Sequence, residues 1–136
     1  MQKDWRQAVT IGDEDWVRSI LDHSKEEAAL RETINSKDQH GQTGLMVASI
    51  YGHTEVVRLL VEQGAELNHT AKFNLSALML AVINRHAEIV SILVNAGADR
   101  EIRGSDGKNS APGFSGLTAL ALAEKAGHDE IADLLR

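Results

Sequence analysis

Histidines are the residues of this sequence best suited to bind a metal ion, and three of them recur at one position of a repeating pattern. They are His53, His86 and His128. A zinc ion needs ligand atoms about 2 Å away, commonly supplied by residues a few positions apart on one helix. Equivalent residues of stacked helices lie roughly 10 Å apart, so these imidazoles would not converge on one ion. We therefore predict no metal site and interpret the three histidines as helix-start residues that form local hydrogen bonds.

The segment Gly107-Lys108-Asn109-Ser110 has a partial likeness to a phosphate-binding loop. That motif needs Ser or Thr directly after the lysine and a further glycine five residues before Gly107. Asn109 and Ile102 stand at those two positions. We therefore reject nucleotide binding at this segment and predict no cofactor.

Paired carboxylates are the remaining candidates for acid–base chemistry. Asp13 with Glu14, and Glu26 with Glu27, lie beside helix starts or on a helix exterior. Solvation and the positive end of the helix dipole account for both pairs. The sequence contains no cysteine, which excludes disulfides and thiolate zinc sites, and no serine lies in a nucleophile-elbow context. We therefore predict that the chain is not an enzyme.

Length and charge narrow the classes of partner. The chain has 136 residues, enough for one domain, and a net charge of −6 with its 14 Lys and Arg residues scattered. This balance argues against nucleic acid, because affinity there depends on basic residues that meet phosphates. The longest apolar run, ALMLAVI, is too short to span a membrane, and the N-terminal residues contain no signal-peptide segment. We expect a soluble cytoplasmic protein with neither a nucleic-acid nor a membrane partner.

A repeat of 33 residues defines the elements that must position these side chains. Segments 38–70 and 71–103 align without a gap, so that Leu45 matches Leu78 and His53 matches His86. A third copy resumes at Leu117 after nine extra residues, and a weaker copy opens the chain with about seven extra, most simply within SKEEAALRET. We predict four repeats in one domain, at about 1–37, 38–70, 71–103 and 104–136, with an inserted loop at 104–116.

Each copy predicts two short helices. Thr43 suits the N-cap of the first helix, and Gly52 suits a left-handed residue that ends it. The second helix places Val56, Val57 and Leu60 on one apolar stripe. Neither helix is long enough to be stable alone in water, so each must bury its stripe against the neighbouring copy. Such a pattern is typical of a solenoid.

The pattern resembles the ankyrin repeat over nearly the whole chain. The residues that carry the resemblance in the second copy are Gly41, Thr43, Leu45, Gly52-His53, Gly64-Ala65 and Asn68. The resemblance implies an all-α solenoid of four helix–turn–helix repeats with connecting β-turn or hairpin loops. It also implies binding to a partner protein through a concave face that the first helices and the turn tips form.

Two departures from the family pattern have structural consequences. No copy has the family's Pro-Leu-His element, so the inter-repeat histidine hydrogen bonds should be missing and Met or Ala packing should replace them. Arg85 stands where a helix-ending glycine is expected. A left-handed backbone at this arginine would cost up to about 1 kcal/mol.

Positions that the repeat leaves free to vary are the candidate partner-binding residues. They are Gln39, His40, Gln42, Ile50, Tyr51, Thr70, Lys72, Phe73, Leu75, Ile83, Asn84, Arg103, Phe114, Ser115, Leu117 and Lys125. Five of these are apolar where the stack does not require it, namely Ile50, Tyr51, Phe73, Leu75 and Ile83. We predict that the five form one exposed patch, a feature that usually marks an interaction site. Phe114 is the expected anchor of the inserted loop.

The two ends of the chain indicate a small capped module. Trp5 and Trp16 match core positions and are predicted to cap the N-terminal end by burying large apolar surfaces. Ala132 and Arg136 replace valines of the second copy, as expected where no further repeat covers a helix.

We therefore predict a monomeric protein–protein interaction module or scaffold. Two alternatives stay open. The module could be a stoichiometric inhibitor or regulatory subunit of an enzyme whose cleft the inserted loop enters, or it could associate with itself through the apolar patch.

Overall fold

The computed structural model describes residues 2–23, 26–105 and 113–136. Within these ranges the chain forms nine α-helices, a 3₁₀ turn at Lys72–Asn74 and no β-strand. The helices are α1 (Gln2–Ile11), α2 (Glu14–Asp22), α3 (Glu27–Ile34), α4 (Gly44–Tyr51), α5 (Thr54–Glu62), α6 (Ala77–Ile83), α7 (Ala87–Asn95), α8 (Ala119–Ala126) and α9 (Asp129–Leu135). The phosphate-loop-like segment at 107–110 and most of the predicted inserted loop lie outside the described residues.

The helices stack in two layers. The first helices of the four copies pack on one another in the order α1, α4, α6, α8, and the second helices in the order α2, α5, α7, α9. Each first helix also packs on the second helix of its own copy. The predicted all-α solenoid of helix–turn–helix repeats is therefore confirmed.

Side-chain caps start three of the first helices. The hydroxyl oxygens of Thr43, Ser76 and Thr118 accept hydrogen bonds from the backbone N–H three residues further on, at 3.3, 3.3 and 3.2 Å. Each bond satisfies a donor that the helix itself leaves without an acceptor. The N-cap predicted at Thr43 is confirmed, and its equivalents follow from the repeat.

Left-handed residues end the same helices. Gly52 and Gly127 both have φ of 75°, and Arg85 occupies the equivalent position of the third copy with φ of 63°. The expectation that Arg85 takes the left-handed conformation of a glycine is confirmed. Its Cβ carries the steric penalty that the two glycines avoid.

The extra residues of the first copy form a helix, which the sequence pattern did not predict. Helix α3 is held along its exposed side by Arg31, whose Nη2 donates to Glu27 Oε1 at 2.8 Å. Ile34, at its C-terminal end, lies in the hydrophobic core. Ile34, together with the partly buried Leu30, thus docks this added helix onto the stack.

Trp5 closes the N-terminal end of the core. It is 1% exposed, whereas Trp16 is half-buried against the core. A Cβ added at Gly44 would lie 3.1 Å from Trp5 Cζ2, so the glycine at the start of α4 lets the indole approach the helix closely. The predicted burial is confirmed for Trp5 and is partial for Trp16.

Two of the recurring histidines bridge neighbouring copies. His53 Nε2–H donates to the Thr10 carbonyl at 2.8 Å, and His86 Nε2–H donates to the Ile50 carbonyl at 3.0 Å. The prediction that these histidines bond locally is therefore wrong for His53 and His86. Histidines at the starts of the second helices supply these bonds without the Pro-Leu-His element, because their rings reach back over the glycine that ends the preceding copy's first helix. Met46 and Met79, at the position of the family's Pro-Leu-His histidine, are buried, as the predicted packing requires.

Candidate partner-binding surface

The candidate site lies on the exposed side of the first-helix layer. We define the first-helix face as α4, α6 and α8 together with the turns that precede them, residues 38–43, 70–76, 102–105 and 113–118. All sixteen predicted partner-binding residues lie on these elements or directly after one of the helices.

Five of the predicted residues line one groove on this face. His40, Gln42, Lys72, Phe73 and Leu75 surround it, and Ala71 and Leu80 complete its lining. The groove has a volume of about 280 Å³ and lies between the turn before α4 and the turn before α6. The structure thus brings together residues that the sequence assigned to two different copies.

The turn before α6 holds its shape through two consecutive left-handed residues. Phe73 has φ of 66° and Asn74 has φ of 58°. Each non-glycine residue of this kind costs on the order of 1–3 kcal/mol and persists only where the surroundings enforce it. The backbone N–H of Asn74 donates to the Ala71 carbonyl at 3.0 Å, and that of Ala71 donates to the Leu75 carbonyl at 3.0 Å.

Contacts from the next copy fix the same turn. Asn74 Nδ2 donates to the Arg103 carbonyl at 2.8 Å, and the backbone N–H of Ser105 donates to the Phe73 carbonyl at 2.9 Å. Lys72 Nζ lies 4.9 Å from the centroid of the Phe73 ring, within cation–π range. The aromatic ring and the ammonium group are therefore presented together by a turn that is braced from both sides.

The prediction that five apolar residues form one exposed patch is wrong, because only one of them is exposed. Tyr51 is 58% exposed, but Ile50, Phe73 and Ile83 are half-buried and Leu75 is only 7% exposed. Leu75 directly precedes the N-cap Ser76, and it lines the groove together with Leu80, the fourth residue of the helix. This is the position of a hydrophobic staple, which packs against the helix it precedes. The apolar part of the surface is a groove, and the exposed Tyr51 lies outside its lining at the C-terminal end of α4.

The remaining predicted residues lie around the groove. Gln39, His40, Lys72, Asn84, Arg103, Ser115 and Lys125 are exposed, and Gln42, Thr70, Phe114 and Leu117 are half-buried. Phe114 packs partly against the core, so only a portion of its ring is available to a partner.

The base of the inserted loop is closed by backbone hydrogen bonds. The N–H of Gly104 donates to the Leu117 carbonyl at 3.1 Å, and the N–H of Gly116 donates to the Gly104 carbonyl at 3.1 Å. Arg103 Nη1 donates to the Gly116 carbonyl at 3.0 Å, and Lys125 Nζ donates to the Gly113 carbonyl at 3.2 Å. These two predicted binding residues therefore also hold the loop base.

A second cavity, of about 170 Å³, lies at the N-terminal end of the face and was not predicted. Trp5, Thr10, Asp38, Gln42 and Gly44 are among its lining residues. The indole N–H of Trp5 is buried and has no acceptor among the described residues. Sequence reasoning missed this cavity because it assigned Trp5 to the core alone.

The described residues hold no group of three or more His, Asp or Glu side chains that could bind a metal ion. Arg18 Nη2 donates to Glu14 at 3.0 Å, and this hydrogen bond raises the pKa of Arg18. Both residues lie on α2, in the other layer.

Among the described helices, none is long and apolar enough to cross a membrane.

Comparison with known proteins agrees with this geometry. The family model for ankyrin repeats, in three copies, matches residues 6–103 and again residues 68–136. A stretch of 38 residues is 53% identical to Ankyrin repeat domain-containing protein 29 of Danio rerio, and it covers 28% of this chain and 13% of that protein. With its repeat matched over nearly its full length and its helices stacked in two layers, the chain belongs to the ankyrin-repeat family.

Proposed function

We propose that the chain is a non-enzymatic module that binds a partner protein through the first-helix face and the tips of its turns. Ankyrin repeats are generally protein–protein interaction modules. The observation that carries the proposal here is the groove in which five residues chosen from the sequence meet.

The groove is held rigid before a partner binds, which favours binding. Its aromatic residue, Phe73, lies on a turn braced by Asn74 and Ser105. A side chain that is already held in place loses less conformational entropy when a partner binds. Tyr51 adds a second, exposed aromatic ring, and aromatic residues are enriched among those that dominate binding energy.

Replacing both aromatic residues tests the proposal. The double variant Phe73→Ala with Tyr51→Ala should lose most of its partner in affinity capture from the native organism, because both anchor side chains are gone. Loss of the half-buried Phe73 ring should also cost about 1–2 kcal/mol of stability, less than truncation of a fully buried phenylalanine. Circular dichroism and thermal unfolding measure that loss separately.

Ile11→Ala is the matched control. Ile11 is 57% exposed, against 58% for Tyr51, and it occupies the equivalent position at the end of α1, outside the first-helix face. The control should retain the partner. Equal capture by the wild type and the folded double variant would contradict the proposal.

The regulatory alternative is supported by the closed base of the inserted loop. The hydrogen bonds at Gly104 and Gly116 hold the two ends of the inserted loop together. Deleting residues 106–112 should leave partner binding intact under the main proposal. Binding that persists while inhibition of a bound enzyme disappears would favour the regulatory role.

The proposal includes a monomeric, cytoplasmic protein. Light scattering over a concentration series tests the oligomeric state, and imaging of a fluorescent fusion tests the location. A mass that rises with concentration would favour self-association through the same face.

A further inference from the structure

Charge differs between the first-helix face and the set formed by the four second helices and α3. Helices α2, α3, α5, α7 and α9 together carry eleven carboxylates and three guanidinium groups, a net charge of −8. By contrast, residues 39–54, 67–87, 102–105 and 113–123 contain no Asp or Glu. Two carboxylates of the described residues do lie on this face. Asp38 Oδ1 accepts hydrogen bonds from the backbone N–H groups of His40 and Gln42, and Glu124 pairs with Arg136 at 3.4 Å. The helices outside the face therefore carry most of the carboxylates.

Four cations lie on the first-helix face or at its margin. They are Lys72, Arg85, Arg103 and Lys125. In the part of the chain that the structure describes, none of the four has a carboxylate within 4.0 Å, whereas Arg18, Arg31, Arg58 and Arg136 are all ion-paired. Lys72 lies against the Phe73 ring, and Arg103 and Lys125 donate to backbone carbonyls, so among the described residues no side chain neutralises these three charges.

For a group in contact with the first-helix face, the nearby cations matter more than the net charge of the chain. The net charge of −6 would repel an acidic partner at long range. At physiological ionic strength, however, the screening length is about 8 Å, shorter than the roughly 10 Å between packed helix axes. A group that contacts the first-helix face therefore experiences mainly the four cations, because Asp38 and Glu124 already have partners and the carboxylates of the other helices are largely screened.

We propose that the partner presents an acidic segment to this face, with an apolar or aromatic side chain that enters the groove. This inference rests on the proposed protein-binding function and specifies the chemistry of the partner. One set of carboxylates would lie near Lys72, which lines the groove, and near Arg103 and Lys125 at the base of the inserted loop. Another would lie near Arg85, which follows the C-terminal end of α6. The apolar side chain would contact Phe73, Leu75 and Leu80, which line the groove.

The probe is a fluorescein-labelled peptide with a central phenylalanine flanked on each side by four glutamates. Its neutral counterpart has glutamine at all eight flanking positions. Fluorescence anisotropy with the full 136-residue chain should show at least tenfold tighter binding of the glutamate peptide in low salt. That preference should shrink as sodium chloride is added, because salt screens exposed ion pairs.

Two double variants with the same net charge test whether the position of the removed cations, rather than the total charge of the chain, determines the affinity. Lys72→Gln with Arg85→Gln should weaken binding of the glutamate peptide about tenfold, since each exposed ion pair contributes modestly but several carboxylates can meet each cation. Arg31→Gln with Arg58→Gln removes the same charge from α3 and α5 and should change the affinity less than twofold. Equal losses in the two variants would overturn the inference.

The outcomes also distinguish this inference from the function on which it rests. If both peptides bind equally and Phe73→Ala weakens both, the groove binds partners but the acidic chemistry is wrong. If a single-stranded oligonucleotide of matched charge binds more tightly than the glutamate peptide, the acidic-protein assignment is wrong. If neither peptide binds and the aromatic double variant still captures its partner, both the inference and the proposed function fail.

Discussion

Replacing Gly52 by alanine should destabilise the stack more than replacing Gly127, although both glycines end a first helix with φ of 75°. The difference lies in what surrounds them. A Cβ at Gly52 would lie 2.6 Å from His86 Cε1, far inside the usual carbon–carbon separation of about 3.5 Å. Among the described residues, no atom apart from the chain neighbours would lie within 4 Å of a Cβ at Gly127.

The two costs can be estimated from these contacts. A left-handed alanine costs about 1–2 kcal/mol, and the stiffer unfolded chain offsets about 0.4–1 kcal/mol of it, which leaves about 1 kcal/mol at Gly127. At Gly52 the alanine also displaces the His86 ring from the Ile50 carbonyl. Breaking that hydrogen bond and leaving a carbonyl without its donor adds about 1–2 kcal/mol, for a total of about 2–3 kcal/mol.

Thermal unfolding followed by circular dichroism measures both variants. For a chain of this length, each kcal/mol should lower Tm by roughly 4 °C, so the expected losses are about 4 °C for Gly127→Ala and about 10 °C for Gly52→Ala. Combining Gly52→Ala with His86→Ala gives a double-mutant cycle, which isolates the part of the cost that comes from displacing the His86 ring. In that background Gly52→Ala should cost only about 1 kcal/mol, because the ring it displaces is already absent.

Two results would refute this reasoning. Equal losses for Gly52→Ala and Gly127→Ala would mean that the His86 ring does not constrain the end of α4. Additive losses for Gly52→Ala and His86→Ala would mean that the glycine and the histidine do not interact across the copies.

Two further substitutions test the helix ends and the basic face. Arg85→Gly relieves the left-handed arginine and should raise stability by about 0.5–1 kcal/mol in chemical denaturation, while it weakens binding of the glutamate peptide; lowered stability would contradict the assigned strain. Ser76→Ala removes the N-cap hydrogen bond to Met79 and should cost about 1 kcal/mol, whereas Ser76→Thr should retain most of the stability. Equal stabilities for the two Ser76 variants would show that the cap contributes nothing.

Local chemistry made several features predictable from the sequence. Thr43 and Gly52 bound a helix because one side-chain oxygen and one missing Cβ act within a few residues of the position they affect. The repeat then extends the same argument to Ser76 and Thr118, and it identifies Arg85 as a left-handed residue by alignment with glycines.

Features that depend on contacts between copies were not predictable in this way. His86 reaches the Ile50 carbonyl across 36 positions of the chain, and the repeat pattern shows where the histidine lies but not what it contacts. The extra residues of the first copy could be counted, yet their conformation depends on the burial of Ile34 against other helices.

The sequence predicted several of the residues that line the groove, but it did not predict which of them are buried. Variable positions identified His40, Lys72 and Phe73, which the structure places in one groove. Leu75 was expected to be exposed, and the residue pair that explains its burial was present in the sequence as Leu75 before the N-cap and Leu80 four residues after it. The ring of Trp5 is buried, and its indole N–H has no acceptor among the described residues. A hydrophobic pattern predicts the burial of the ring but not the missing acceptor.

The central claim, that a partner binds the first-helix face, is tested most directly by amide hydrogen exchange of the chain with and without its captured partner. Binding should slow exchange in the turns at 39–42 and 70–75, which border the groove, and leave the exposed ends of α5 and α7 unchanged. Protection confined to α5 and α7, with the two turns unaffected, would contradict the claim.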